Sequence, residues 1–150
     1  VGYRAVDAAR MEKGYLYWSG DITPDYNPYE AGLGFCVALD KGDFIGRDAL
    51  VEGKAKGLNW NFVTMEVHGI TDGDSDARGS EPLYHKGKLI GRATNGGFGF
   101  RVNKSLALGM VQPDVAAVGT ELEIKILGKL FKATVIPESP YDPDNAALRA

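Results

Sequence analysis

A chain of 150 residues, 44% of them hydrophobic, can bury one good core, or one small core and part of another. Its net charge of −3, with no basic stripe, excludes nucleic acid as a partner, and no apolar run approaches the roughly 20 residues of a membrane span. The one cysteine, Cys36, excludes an internal disulfide and fits a reducing compartment.

The chain opens without an initiator Met and without a signal-peptide pattern, and Gly2-Tyr3-Arg4-Ala5-Val6 already reads as structured. The expectation is a piece of a longer polypeptide. Arg4 to Lys13 predicts a short helix: Val6, Ala9 and Lys13 fall at helical spacing, Ala5, Ala8 and Ala9 favour helix, and Gly14 stops it. Tyr15 to Trp18 is an aromatic run too short for another helix. Ser19 to Gly32, with Pro24, Asn27 and Pro28, reads as loop. Gly34 to Leu39 predicts a strand with Phe35, Val37 and Leu39 on one side, which makes Cys36 a buried structural thiol. Lys41-Gly42-Asp43 is a turn. A second helix is expected from about Gly46 to Lys56, with Ala49 and Leu50 inward and Gly57 closing it.

After Gly57 the period changes from helical to alternating. Trp60 to Val67 reads as a strand and Ile70 to Ser80 as a polar, glycine-rich loop. Leu83–His85 and Lys88–Thr94 pair across Lys86-Gly87. Leu106 to Val111 is a further strand. Glu121–Leu127 and Leu130–Ile136 pair across Gly128-Lys129, with Leu122, Ile124 and Ile126 alternating with Glu121, Glu123 and Lys125. The fold class is therefore α+β. Residues 1–56 read as the end of an α+β domain, and residues 57–150 as a small antiparallel β-barrel or sandwich.

Several chemical signals fail on inspection. Asp72-Gly73-Asp74-Ser75-Asp76 begins like a calcium loop, but the required glycine and glutamate positions hold Ala77 and Leu83, so it reads as a surface loop. Asn95-Gly96-Gly97-Phe98-Gly99-Phe100 lacks the GK[ST] ending and the following helix of a phosphate cradle; it reads as a turn or bulge between strands. His68 and His85 have no partner at metal-ligand spacing, so no zinc is expected. What remains is aromatic and acidic. Tyr15, Tyr17, Trp18, Tyr26, Tyr29 and Phe35 crowd together with Asp21 and Glu30. Rings for stacking and a carboxylate for ring N–H donors are what a flat heteroaromatic ligand needs, although such a cluster alone also reads as ordinary core.

Three ordered motifs decide between these readings. Arg10-Met11-Glu12-Lys13-Gly14-Tyr15, then Pro28-Tyr29-Glu30-Ala31-Gly32-Leu33, then Lys41-Gly42-Asp43-Phe44-Ile45-Gly46-Arg47-Asp48-Ala49-Leu50 resemble the aminomethyltransferase (glycine cleavage T-protein) family. Glu81-Pro82, Gly87-Lys88, Ile90-Gly91, Lys104 to Gly109 and Pro113 resemble that family's C-terminal barrel, so the resemblance spans the chain. Glu12-Lys13-Gly14-Tyr15, Asn27 to Phe35 and the tail Ser139-Pro140-Tyr141-Asp142-Pro143-Asp144-Asn145 are most similar to the folate module of dimethylglycine and sarcosine dehydrogenases and oxidases.

The resemblance implies tetrahydrofolate as the one-carbon acceptor, and FAD held by a domain outside this chain that oxidises an N-methyl amine. It places Tyr15 in the folate cleft and Phe35 against the folate. It puts the catalytic Asp upstream of these residues, so the chain alone is expected to be inactive and to be completed by upstream residues of the same polypeptide or a companion chain. Two positions depart from the family. Val6 stands where an Arg binds the folate glutamate tail, and Ala146 where a Tyr serves the same tail. A stand-alone aminomethyltransferase and a non-catalytic folate-binding protein are the alternatives. The implied compartment is the cytoplasm in a bacterium and the mitochondrial matrix in a eukaryote.

Overall fold

A computed structural model describes residues 2–150. Its main body is a six-stranded antiparallel barrel: β1 (Asn61–Val67), β2 (Pro82–His85), β3 (Lys88–Gly99), β4 (Lys104–Val111), β5 (Glu121–Ile126) and β6 (Lys129–Ile136). The strand order is β1-β4-β3-β2-β5-β6, and β6 returns to pair with β1 through Thr64↔Ile136 and Val67↔Ala133. Closure leaves no unpaired sheet edge. The expected alternation holds on β5, where Leu122, Ile124 and Ile126 point inward. They meet Met65, Leu83, Ala93 and Val135 in the principal core.

The β2–β3 hairpin turns where expected. Lys86 and Gly87 have φ of 50° and 77°, the two positive values that a two-residue hairpin turn of primed type requires. The β5–β6 turn falls one residue earlier than expected, on Leu127 and Gly128, because Ile126 pairs directly with Lys129. The glycine-rich run is corrected more substantially. Asn95 to Gly99 continue β3 and pair with Leu108 to Lys104; the irregularity lies just before them, between Ala93 and Asn95. Gly96 fits there because it has no side chain: a Cβ would stand 2.6 Å from the Ala77 carbonyl oxygen.

Helix α1 (Tyr3–Glu12) lies against β3 and β4. Its expected inward positions Val6 and Ala9 are exposed, and the helix docks through its last turn instead. Met11 is fully buried with Leu106 and Leu108 in a second core outside the barrel, flanked by Phe62, Val102 and Ile136. Burying such a side chain contributes about 1.5–3 kcal/mol. Beside it, the Glu12 carboxylate accepts the Arg101 and Val102 amides at 2.7 and 3.2 Å.

Residues 13–56 hold no strand. The stretch expected to be one is a 3-10 turn at Gly34–Cys36, and Cys36 is exposed rather than buried. The physical reason is pairing: the barrel is closed, and no other sheet exists here to accept a strand's amides and carbonyls. Helix α2 (Arg47–Lys56) forms between Gly46 and Gly57 as expected, but Ala49 is exposed and Leu50 only half-buried. Met11 is the one residue among 2–56 that belongs to either buried apolar cluster. Tyr3, Val6, Tyr17, Trp18, Phe35 and Ile45 are all exposed.

Candidate functional site

The chain leaves α1 through Gly14, whose φ is +69° and whose missing Cβ would stand 2.7 Å from the Glu138 carbonyl oxygen. Glycine therefore serves twice, as a left-handed turn and as a close approach. Tyr15 follows, its amide bonded to the Arg10 carbonyl at 2.9 Å and its side chain half-exposed. The loop beyond folds on itself: Asp21 N–H donates to Tyr17 C=O, and Ser19 N–H to Ile22 C=O.

The second motif is a reciprocal cap. Asn27 Oδ1 accepts the Tyr29 and Glu30 amides, and Glu30 Oε2 accepts the Asn27 amide at 3.0 Å. Glu30 Oε1 also accepts the Asn59 amide, and the Glu30 carbonyl accepts Phe62 N–H. The loop is thereby pinned to the start of β1. Leu33 N–H closes onto Pro28 C=O at 2.7 Å, and Phe35 then projects from the 3-10 turn, 84% exposed.

Tyr15 and Phe35 line one open cavity of about 820 Å³. Leu16, Ile22 and Leu33 complete their side of it, and Pro137, Glu138, Ser139, Pro143 and Asn145 form the facing side. That second wall is a strap after β6, held against the end of α1. Tyr141 N–H donates to Glu12 C=O at 2.9 Å, and Lys13 Nζ donates to Asp142 C=O at 2.5 Å. The Tyr141 ring lies 5.9 Å from Lys13 Nζ and 5.0 Å from the Arg101 guanidinium. The strap's place in the site was missed at the level of sequence; its signal was Pro137, Pro140 and Pro143 spaced through a tail that cannot pair as a strand.

The two acids grouped with the aromatics in the sequence are not available to a ligand. Asp21 is fully buried. Its Oδ2 accepts Arg10 Nη1 at 2.7 Å and the Tyr17 amide at 2.9 Å, and its Oδ1 accepts Thr94 Oγ1. Glu30 is buried in the cap just described. Buried, and with donors already on both oxygens, neither carboxylate is presented to the cavity. The cavity offers aromatic and aliphatic surface, main-chain groups, and the polar side chains of Glu138, Ser139 and Asn145. Among its lining residues the one cation is Lys13, paired with Asp142 at 3.6 Å. Neither Val6, on α1, nor Ala146, which follows the lining residue Asn145 and opens the short helix α3 (Ala146–Arg149), lines it.

Other candidates are weaker. A cavity of about 570 Å³ between α1 and the barrel is lined by Arg4, Asp7, Asp76, Arg78, Asn95 and Phe98 among others, with Arg4 paired to Asp76 at 3.3 Å. His68 Nε2 is bonded to Thr134 Oγ1, and His85 Nδ1 to the Glu121 carbonyl. Asp74 lies in the exposed loop and accepts the Thr71 amide and hydroxyl, which hold its carboxyl below the ordinary carboxylate range.

The comparisons with known proteins agree with this architecture. Residues 61–142 match the glycine cleavage T-protein C-terminal barrel domain, and residues 1–41 match the GCVT N-terminal domain. The chain is 40% identical over 138 residues to mitochondrial dimethylglycine dehydrogenase of Rattus norvegicus, covering 91% of this chain and 16% of that protein. It is 40% identical over 143 residues to aminomethyltransferase of Desulfitobacterium hafniense, covering 94% of this chain and 38% of that protein. The crystal structure of the glycine cleavage system aminomethyltransferase T from Bartonella henselae superposes with a TM-score of 0.83 at 29% identity, over 93% of this chain and 38% of that one. These relatives are enzymes, and this chain spans well under half of their length. The chain belongs to the glycine cleavage T-protein family, and residues 61–142 are its C-terminal barrel domain.

Proposed function

We propose that this chain is the C-terminal part of a tetrahydrofolate-dependent one-carbon transfer enzyme, with the Tyr15–Phe35 cavity as one wall of the folate site. The observation behind this reading is that two exposed aromatic rings from separate loops line a single cavity. A pterin or benzoyl ring is flat and apolar on its faces, so Tyr15, Phe35, Leu16, Ile22 and Leu33 fit it chemically. Tetrahydrofolate supplies the nitrogens that accept the one-carbon unit; the residues of this chain bind and orient it and exclude water from one side. Asp21 and Glu30 are committed elsewhere and Glu138 is the one acid among the cavity's lining residues; the family resemblance assigns proton handling to an upstream Asp. Residues 1–56 act as the end of the folate domain, and residues 57–150 as the barrel that supports it.

In the finer reading, the full-length protein is an FAD-dependent dimethylglycine or sarcosine dehydrogenase or oxidase. The resemblance at Asn27 to Phe35 and the relation to the rat dehydrogenase support it. The flavin does not fit this chain, because its glycine-rich run is paired inside β3 rather than opening a helix. The exposed apolar side chains of residues 2–56 favour a covering partner, which we assign to upstream sequence or a companion chain. The equal identity to a bacterial aminomethyltransferase supports the second reading, a stand-alone aminomethyltransferase. Bound flavin in the purified full-length protein separates the two.

Tyr15→Ala in the full-length protein tests the site. A stacked ring is worth about 0.5–1.5 kcal/mol beyond its buried area, so tetrahydrofolate binding weakens roughly 2- to 12-fold. Reduction of the flavin by substrate stays unchanged. The opposite pattern, slowed flavin reduction with unaltered folate affinity, sinks the assignment.

A further inference from the structure

We infer that Arg10, locked by buried Asp21 and by Thr94 of the barrel, is a positioning residue that fixes Tyr15 for its ligand. The inference rests on the folate reading of the Tyr15 cavity and deepens it.

Tyr15 has a half-exposed ring on a loop, so its usefulness as a stacking surface depends on how firmly its backbone is held. Arg10 holds it from both sides. The Arg10 carbonyl accepts Tyr15 N–H at 2.9 Å, and Arg10 Nη1 donates to the Tyr15 carbonyl at 2.9 Å. The same Nη1 donates to Asp21 Oδ2 at 2.7 Å, and Nε donates to Asp7 Oδ1 at 2.9 Å. Nη2 has no hydrogen-bond partner; the guanidinium lies 5.5 Å from the centre of the Tyr17 ring.

The chain of contacts ends on a rigid element. Pairing of β3 with β4 passes from Ala93↔Gly109 to Asn95↔Leu108, so Thr94 is the extra residue of a bulge. A bulge re-aims one side chain out of the ladder. Here the redirected hydroxyl donates to Asp21 Oδ1 at 2.5 Å. The barrel thus sets Asp21, Asp21 sets Arg10 and the Tyr17 amide, and Arg10 sets Tyr15. A buried ion pair contributes little net stability once its desolvation is counted, while the bonds made by Nη1 and Nε hold the guanidinium in one orientation. That asymmetry favours a positioning role over a merely stabilising one.

The experiment is a double-mutant cycle in the full-length protein, with tetrahydrofolate titrated anaerobically by calorimetry. Thr94→Val keeps the shape and removes the hydroxyl, and we expect weaker binding by no more than the roughly 2- to 12-fold that Tyr15→Ala itself costs. Thr94→Ser, which keeps the hydroxyl, restores wild-type affinity. Arg10→Lys weakens binding similarly. In a Tyr15→Ala background, neither Thr94→Val nor Arg10→Lys costs further affinity, because both act through Tyr15. Additive losses overturn the inference and leave only a structural role. If Tyr15→Ala weakens binding and Thr94→Val does not, the inference alone fails; if Tyr15→Ala has no effect, the folate reading fails with it. Should Arg10→Lys not fold, the valine–serine comparison at Thr94 decides.

Discussion

Met11→Ala separates the docking of α1 from the stability of the barrel. Met11 is fully buried, and its partners Leu106 and Leu108 form the outer face of β4, away from the principal core. Truncating a buried methionine costs about 2–5 kcal/mol. Glu12, which bonds the Arg101 amide, and Tyr141, which bonds the Glu12 carbonyl, still tether the helix end, so we take about 3 kcal/mol. That loss falls on local opening of α1 and not on the barrel, whose main cluster does not include Met11. At about 1.4 kcal/mol per tenfold, amides at the helix end exchange with solvent roughly 100-fold faster. The Gly14 and Tyr15 amides report it, since they bond to Met11 and Arg10 carbonyls. Amides of β5 and β6 keep their protection. Hydrogen exchange followed by NMR or mass spectrometry reads both regions at once. Equal acceleration in α1 and β5–β6 refutes the separation, and an α1 effect below about threefold refutes the packing argument.

Glu30→Ala leaves the Asn27 and Asn59 amides without their acceptor and costs about 1–3 kcal/mol, visible as a lower urea midpoint. Gly96→Ala drives a methyl into the Ala77 carbonyl and lowers the melting temperature by several degrees or prevents folding, whereas Gly128→Ala, with φ of +83° and open space, costs only about 1 kcal/mol. The carboxyls of Asp74 and Asp76 titrate on opposite sides of the ordinary value of 3.8. Asp74 is held down by the Thr71 amide and hydroxyl, so its contribution to stability is present above 3.8 and lost as pH falls through its folded value. Asp76 is pushed up by burial, against the pull of Arg4, so it binds protons more tightly folded than unfolded, and its effect on stability declines as pH rises from 3.8. Carbon-detected NMR titration of the two carboxyls checks both directions.

What could be read from the sequence was whatever repeats with a fixed period. Leu122, Ile124 and Ile126 alternate because one face of β5 is core and the other solvent, and the period survives translation into structure. The Lys86-Gly87 turn was legible because positive φ at consecutive positions leaves few residue choices. Gly34 to Leu39 misled for the converse reason. Its apolar alternation is that of a strand, but alternation reports only which side chains share a face and not whether a neighbour exists to pair with. Ala49 misled in the same way: helix α2 forms by propensity and its glycine stops, without extensive packing on the barrel.

The site was half legible, and the missing half is polar. Tyr15 and Phe35 stood out as aromatic, and the structure puts both on one cavity. Asp21 and Glu30 had read as carboxylates open to a ligand, Arg10 only as a motif residue, and Thr94 carried no signal, because sequence does not show which polar groups are buried. Burial of a charge is decided by partners far along the chain: Thr94 lies 73 residues from Asp21, and no local window contains both. The motif residues Arg10, Glu12 and Glu30 belong to the loop's internal scaffold, each bonded to main-chain groups, while Tyr15 and Phe35 are among the residues that line the cavity. Motif spacing therefore pointed to this loop but not to the buried roles of its acids. The acids hold the loop's shape, and the two rings are left on the cavity wall.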